Sequence, residues 1–140
     1  MNPKIRVLFL CTHNSARSIM AEVLARELAP ERLEVYSAGT EPSQVRENTL
    51  TVLEELGYST AGLTSKSAEQ FLDDSFDYVV TVCDHAREVC PTFPGAKKLL
   101  HWSFPDPSRA TGNVEEQLAV YRQTREMIQK TLERFLSELN

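Results

Sequence analysis

The segment spanning residues 6–28 constrains the fold more than any other part of this 140-residue chain. Residues 6–10 form a short apolar run that is typical of a strand buried on both faces. A loop at residues 11–18 follows, and residues 18–28 then repeat apolar side chains at helical spacing. A buried strand that passes through a short loop into a helix is the first half of a parallel strand–helix–strand unit, so we expect an α/β fold.

The rest of the chain continues the alternation of strands and helices. Further strands are predicted at residues 33–37, 76–82 and 97–100, and further helices at residues 45–56 and 114–139. This pattern predicts a single open four-stranded parallel sheet with helices on both faces and right-handed crossovers. Ligands of such sheets lie beyond the carboxyl ends of the strands, where Cys11, Cys83 and His101 should meet. We find no internal repeat or linker, so we expect one catalytic domain over residues 1–140.

Composition and charge argue against several classes of function. The net charge of −5 disfavours nucleic acid as a partner, because binding to a phosphate backbone needs a basic face. No run approaches the roughly 20 apolar residues of a membrane-spanning helix, and residues 7–10 are too few for the core of a signal peptide. We therefore expect a cytoplasmic protein with no membrane partner. The 3 cysteines are an odd number in a reducing compartment, which favours reactive thiols or a metal site over structural disulfides.

The loop at residues 11–18 has the features of an anion-binding site that carries its own nucleophile. Backbone N–H groups wrapped around the start of a helix can converge on one oxyanion, aided by the helix dipole. Arg17 adds a planar set of donors that suits two oxygens of a phosphate-like group. The same field should stabilise a thiolate, so we expect a pKa for Cys11 well below its usual value of about 8.5. Asn14 can brace the loop, and Ser18 can donate to the Cys11 sulfur.

Residues 7–18 read VLFLCTHNSARS and continue into Met20-Ala21-Glu22. This segment resembles the signature of the low-molecular-weight protein tyrosine phosphatase superfamily. The resemblance implies a parallel α/β fold, attack of the Cys11 thiolate on a bound oxyanion, and a general acid in a late Asp-Pro pair, here Asp106-Pro107. It also implies that the residues that bind the oxyanion or support the loop are Thr12, His13, Asn14, Ser15, Ala16, Arg17 and Ser18.

A second segment bears on which activity of this superfamily the chain has, phosphatase or arsenate reductase. Residues 81–91, TVCDHAREVCP, resemble the redox segment of the thioredoxin-coupled arsenate reductases, which has six residues between its two cysteines. His101-Trp102 followed by Asp106-Pro107 also resembles that group. Phosphatases of the superfamily typically have a methionine–aspartate segment after the corresponding strand and a tyrosine after Asp-Pro. Here Cys83 and Ser108 occupy those places.

The resemblance therefore implies reduction of arsenate to arsenite by a relay of three thiols. Cys11 would attack arsenate while Asp106 protonates the departing oxygen. Cys83 would then attack Cys11, and Cys90 would move the disulfide to the Cys83–Cys90 pair. A flap at about residues 83–95 would open so that thioredoxin, or a glutaredoxin- or glutathione-type thiol, reduces that pair. No metal or other cofactor is implied, phosphate and sulfate should compete with arsenate, and weak phosphatase side activity is expected.

Three further residues are candidates for bracing the loop. Glu22 and Ser37, together with Asn14, match positions at which some relatives bind a potassium ion. Lys66 stands where those relatives place a carboxylate, so we expect its ammonium group to replace the ion beside Glu22. Asp84, the neighbour of Cys83, is a weaker alternative to Asp106 as the general acid.

Two other functions remain open at this point. If the second and third cysteines are inert, the chain is a low-molecular-weight protein tyrosine phosphatase that works with Cys11 alone. If they bind metal, the chain is a thiolate metal-binding protein whose ligands are Cys83, Cys90 and one of His13, His85 and His101. The lack of a Cys-x-x-Cys pair disfavours the second alternative. We expect a monomer, because no long apolar stripe is left over for a partner.

Overall fold

Four parallel strands form the framework of the molecule. In the computed structural model, which describes residues 3–89 and 93–139, the strands are β1 (Ile5–Cys11), β2 (Leu33–Gly39), β3 (Phe76–Thr81) and β4 (Ala96–His101). The helices are α1 (Arg17–Leu28), α2 (Glu47–Glu54), α3 (Asp84–Val89) and α4 (Val114–Glu138), with 3-10 helices at Ala68–Phe71 and Pro107–Arg109. The strand order is β2-β1-β3-β4. All three pairings are parallel, which confirms the predicted sheet.

Both faces of the central strand β1 are buried from Val7 onward, which explains the apolar run at residues 7–10. Alternate side chains of a strand point to opposite faces of the sheet. Val7 and Phe9 belong to the larger core with the apolar sides of α1 and α4, whereas Leu8 and Leu10 belong to a second core. The second core includes Phe71 of the 3-10 helix Ala68–Phe71. Helical segments therefore cover both faces, although a 3-10 helix provides this cover on the second face.

Helix α4 follows the sequence pattern closely. Asn113 caps its first turn, accepting from the Glu116 backbone N–H at 2.9 Å, and the Glu116 carboxylate accepts from the Asn113 N–H at 3.2 Å. Its apolar residues at helical spacing are buried at Leu118, Tyr121, Ile128, Leu132 and Phe135, and Leu139 is half-buried. In the part of the chain that the structure describes, no helix is both long and apolar enough to cross a bilayer.

Helix α3 is the element that the sequence pattern did not predict. It is only six residues long, DHAREV, and too short to show an amphipathic repeat. Helix α2 is also shorter than the predicted helix at residues 45–56, since it spans Glu47–Glu54. The strand ends agree with the prediction where it matters for the site: Cys11 of β1 lies opposite Gly39 of β2, and Thr81 of β3 lies opposite His101 of β4.

Candidate active site

The Cys11 sulfur lies at the centre of the loop between β1 and α1. The residue is 3% exposed, and its Sγ accepts a hydrogen bond from the Asn14 backbone N–H at 3.2 Å. The Ser18 hydroxyl lies 2.8 Å from the same sulfur. Asn14 adopts a φ of 50°, a left-handed conformation that asparagine tolerates better than most residues. In this conformation the Asn14 N–H points back at the Cys11 sulfur.

A chain of buried side chains fixes which group donates to the sulfur. The Asn14 Nδ2 group donates to Ser18 Oγ at 2.7 Å and to Ser37 Oγ at 3.0 Å. The Asn14 Oδ1 atom accepts from the backbone N–H of Lys66 at 2.8 Å. Because Ser18 Oγ already accepts from Asn14, its own proton is free to point at Cys11 Sγ. Ser37 in turn donates to the buried carboxylate of Glu22.

A segment after β2 supports the loop from the outside. Its backbone N–H groups donate to loop carbonyls at 2.8–3.1 Å, in the pairs Thr40 to Cys11, Glu41 to Thr12, Ser43 to His13 and Arg46 to Ser15. In a trans peptide the N–H points away from the C=O of the preceding residue. The outward carbonyls therefore turn the loop N–H groups inward. Gly39 allows this close approach, because a Cβ at that position would lie 2.6 Å from the Thr12 carbonyl oxygen.

The loop opens into a cleft of about 670 Å³ that also holds the predicted general acid. Arg17 lines the cleft, with one Nη donating to the Phe104 carbonyl at 3.0 Å and the other 3.7 Å from Asp106 Oδ2. The backbone N–H and hydroxyl of Ser108 donate to the other Asp106 oxygen at 2.9 and 2.7 Å. The same cleft is also lined by Thr12, His13, Cys83, Asp84, Ser103, Pro105 and Arg109. The cleft therefore brings cationic groups and a carboxylate to the loop that carries Cys11, at the carboxyl ends of the strands.

Burial and neighbouring groups shift the pKa values of both Cys11 and Asp106. Burial raises the pKa of the Cys11 thiol, and the hydrogen bonds from Ser18 and the charge of Arg17 only partly oppose this. The prediction of a low pKa from loop position was wrong in direction, because it took no account of the desolvation of a sulfur this deeply buried. Burial alone would raise the pKa of Asp106, but the Ser108 hydrogen bonds and the arginine charges lower it overall.

The second predicted thiol lines the cleft into which the Cys11 loop opens. Cys83 is 3% exposed, and its Sγ lies 3.4 Å from the Thr12 hydroxyl and accepts from the Ala86 backbone N–H at 3.4 Å. Both Cys11 and Cys83 are free thiols. Cys90, the predicted third thiol, lies outside the described residues, so the structure describes the flap at about residues 83–95 only in part.

The three residues expected to brace the loop lie next to one another. Glu22 is 6% exposed, and its carboxylate is 3.9 Å from Lys66 Nζ and 2.5 Å from an Arg26 Nη. Burial lowers the pKa of Lys66, while the nearby Glu22 charge opposes this. Ser37 links this cluster to Asn14. The ammonium group thus lies beside Glu22, as the sequence analysis expected.

Several residues of the site carry no signal in the sequence pattern. Thr49 donates from its hydroxyl to the Ser15 carbonyl at 2.9 Å, and Phe104 contributes only a backbone carbonyl. Arg109, which lies 3.9 Å from Asp106, could have been suspected only from its place in the same loop. Of the predicted loop residues, His13 lines the cleft and donates from Nδ1 to the Glu41 carbonyl at 2.9 Å. Within residues 3–89 and 93–139 there is no cluster of three or more His, Cys, Asp and Glu suited to a metal ion.

The sequence and the fold of this chain are similar to those of several known proteins. Residues 6–140 match the family described as low molecular weight phosphotyrosine protein phosphatase. An arsenate reductase of Halalkalibacterium halodurans is 42% identical over 135 residues, which cover 96% of each chain. The structure of an arsenate reductase in its phosphate-binding state superposes with a TM-score of 0.83 at 29% identity, covering 97% of this chain and 99% of the other. A thioredoxin-dependent arsenate reductase of Corynebacterium glutamicum gives a TM-score of 0.66 at 30% identity, over 98% of this chain and 65% of the other.

Proposed function

Since the chain belongs to the low-molecular-weight phosphotyrosine protein phosphatase family, we propose that it is an enzyme that reduces arsenate to arsenite. The observation that carries the proposal is the presence of two buried free thiols at one site: Cys11 lies at the centre of the loop, and Cys83 lines the cleft into which that loop opens. A phosphatase needs one thiol, because water hydrolyses the phosphocysteine. Reduction of As(V) to As(III) takes two electrons, which a pair of thiols supplies when it becomes a disulfide.

In the first step, the oxyanion binds to the inward N–H groups of the loop and to Arg17. The Cys11 sulfur attacks arsenic, an S–As bond forms, and one arsenate oxygen leaves as water. Burial favours the neutral thiol of Cys11 in the free enzyme, and the Ser108 and arginine contacts favour the Asp106 carboxylate. The thiol proton and the proton of monohydrogen arsenate together supply the two protons of that water. Asp106 lines the cleft and would pass a proton to the departing oxygen.

In the second step, the Cys83 sulfur attacks the Cys11 sulfur. A disulfide forms, the S–As bond breaks, and its electron pair stays on arsenic. The proton of the Cys83 thiol goes to the departing arsenite. The support for this role is the 3.4 Å contact between Cys83 Sγ and the Thr12 hydroxyl, which holds the second thiol against the loop that carries the first. Cys90 would then attack Cys83, release Cys11 as a thiol, and leave a Cys83–Cys90 disulfide.

The last disulfide needs an external reductant, and we assign this role to thioredoxin or a similar dithiol protein. The support is the likeness to the thioredoxin-dependent arsenate reductase of Corynebacterium glutamicum. The proposed setting is a reducing compartment such as the cytoplasm, in which the three cysteines stay reduced between turnovers. The proposed working unit is a monomer, a single catalytic domain over residues 1–140 with a flap at about residues 83–95.

The Lys66 ammonium is proposed to brace the loop in place of a bound cation. Its distance of 3.9 Å from the Glu22 carboxylate supports this role, as does the hydrogen bond of its backbone N–H to Asn14. Glu22 accepts from Ser37, which accepts from Asn14, so the charge of Lys66 acts on the side chain that holds Ser18.

The test is arsenate-dependent oxidation of NADPH in the presence of thioredoxin and thioredoxin reductase. We expect wild type to turn over and Cys11→Ser, Cys83→Ser and Cys90→Ser each to stop. A control without arsenate measures background oxidation by the coupling enzymes. If wild type ignores arsenate while wild type and the Cys83 and Cys90 variants hydrolyse an aryl phosphate, the chain is a one-thiol phosphatase and the proposal is wrong.

A further inference from the structure

One imidazole contacts the chain on both sides of Cys83. His101 is the last residue of β4, and its Nδ1 lies 2.7 Å from the hydroxyl of Thr81, the last residue of β3. Its Nε2 lies 2.9 Å from a carboxylate oxygen of Asp84, the first residue of α3. In the sequence, Thr81 precedes Cys83 by two positions, and Asp84 follows it directly. His101 therefore spans the turn that presents the second thiol.

The partners of His101 determine how the ring is held. A carboxylate only accepts, so His101 Nε2 carries a proton and donates to Asp84. The ring is held through both nitrogens, and its side chain is only 21% exposed. The backbone adds rigidity at the ends of β3 and β4, because the Trp102 N–H donates to the Thr81 carbonyl at 2.8 Å. The ring is thus a fixed point against which the start of α3 is held.

The position of the Cys83 sulfur depends on where α3 begins. Its Sγ accepts from the Ala86 N–H inside that helix, while on its other side it contacts the Thr12 hydroxyl of the loop. A shift of α3 would therefore move the sulfur relative to the loop that carries Cys11.

We propose that His101 is a positioning residue for the second thiol: by holding Asp84, it keeps the Cys83 sulfur in line for attack on the Cys11 adduct. This inference rests on the proposed function, since it concerns the step that forms the Cys11–Cys83 disulfide and expels arsenite. Loss of the His101–Asp84 contact slows that step and leaves arsenate binding unchanged. Attack of one sulfur on another needs a narrow range of distance and alignment, so a small shift of α3 reduces the rate by about 10-fold.

The experiment measures the two steps separately in a Cys90→Ser background, in which the reaction stops at the Cys11–Cys83 disulfide. Oxyanion binding is measured as protection of Cys11 from iodoacetamide by phosphate, which competes for the same site but is not reduced and so forms no disulfide. Disulfide formation is measured as the loss of two titratable thiols after a single mixing with arsenate. The variants are His101→Leu, which removes both ring contacts, and His101→Gln, whose amide N–H can still donate to Asp84. Glu88→Ala is a control that changes α3 without touching the contact.

We expect unchanged protection in every variant, about 10-fold slower thiol loss in His101→Leu, and the rate of the Glu88→Ala control equal to that of the background protein. His101→Gln should recover part of the lost rate, because its amide N–H can replace the Nε2–H that donates to Asp84. Thiol loss at the control rate in His101→Leu overturns the inference, as does an equal loss of rate in His101→Leu and His101→Gln or an equal fall in phosphate protection. If the background protein itself loses no thiols with arsenate, the proposed function fails instead.

Discussion

Replacement of Ser18 by alanine tests whether the Cys11 thiolate depends on the buried hydroxyl beside it. The Ser18 Oγ lies 2.8 Å from Cys11 Sγ. Because this oxygen accepts a hydrogen bond from Asn14, the Ser18 proton can be donated to the sulfur. A hydrogen bond to a charged group contributes about 1.5–3 kcal/mol. Because one pKa unit corresponds to about 1.4 kcal/mol, its loss should raise the Cys11 pKa by about 1–2 units. The shift adds to the effect of burial, which already raises this pKa.

The assay is the rate of Cys11 alkylation by iodoacetamide as a function of pH, without added oxyanion, in a Cys83→Ser and Cys90→Ser background. Only the thiolate reacts, so the midpoint of the rate profile reports the thiol pKa. The Ser18→Ala profile should move to higher pH by about 1–2 units. At a fixed pH below both midpoints, alkylation should slow by about 10-fold for each unit.

Thr49→Val is the matched control for this experiment. Thr49 is also a fully buried hydroxyl that supports the loop, but it donates to the Ser15 carbonyl and not to the sulfur. The Ser15 carbonyl keeps its second donor, the Arg46 N–H at 3.0 Å. The Thr49→Val protein should lose about 1 kcal/mol of stability, and the midpoint of its Cys11 alkylation profile against pH should not move. An unmoved midpoint in Ser18→Ala, or an equal shift in Thr49→Val, refutes the assignment of Ser18 as the donor.

Three other substitutions test different parts of the site. Asp106→Asn should slow formation of the Cys11–arsenate adduct by about 10²–10⁴-fold in rapid-mixing experiments and leave arsenate protection of Cys11 intact; a near-normal rate removes it from the acid role. Lys66→Met should lower activity in sodium salts and recover part of it in potassium salts, whereas a wild type strongly activated by potassium contradicts the bracing role. Gly39→Ala should destabilise the fold by about 1–3 kcal/mol in denaturant unfolding, because its Cβ meets the Thr12 carbonyl. Gly57→Ala is its control, because a Cβ at Gly57 meets no neighbouring atom and only the left-handed backbone opposes the substitution. It should cost about 1–2 kcal/mol of stability, and arsenate should still protect Cys11.

The parts of the site that the sequence predicted are those carried by one continuous segment. Cys11 and Arg17 are both fixed by β1, the loop and the start of α1, and each of these has a strong local pattern. The apolar run of β1 and the spacing in α1 specify their elements without knowledge of the rest of the chain. For the same reason the sheet and the long helix α4 could be predicted closely.

The parts that the sequence did not predict depend on contacts between distant segments. The segment at residues 40–46 supports the loop through backbone N–H groups, which are the same for every non-proline side chain. The direction of the Cys11 pKa shift depends on burial, which only the folded structure reveals. Helix α3 forms over six residues with no apolar repeat. The start of α3 is held by the contact of Asp84 with His101, which lies 17 positions later in the sequence.

The parallel sheet explains how an anion-binding loop acquires a second thiol without any change to the loop itself. In the register of β1 and β3, Leu10 pairs with Thr81, and the Val82 N–H donates to the Leu10 carbonyl at 2.8 Å. Cys11 follows Leu10 directly, and Cys83 follows Thr81 by two positions, so the two sulfurs emerge at the same edge from neighbouring strands. A phosphatase needs only one thiol, that of the loop after β1. A cysteine at the end of β3 adds a source of two electrons beside the same loop, and it is held by the Thr12 hydroxyl of the loop on one side and by α3 on the other.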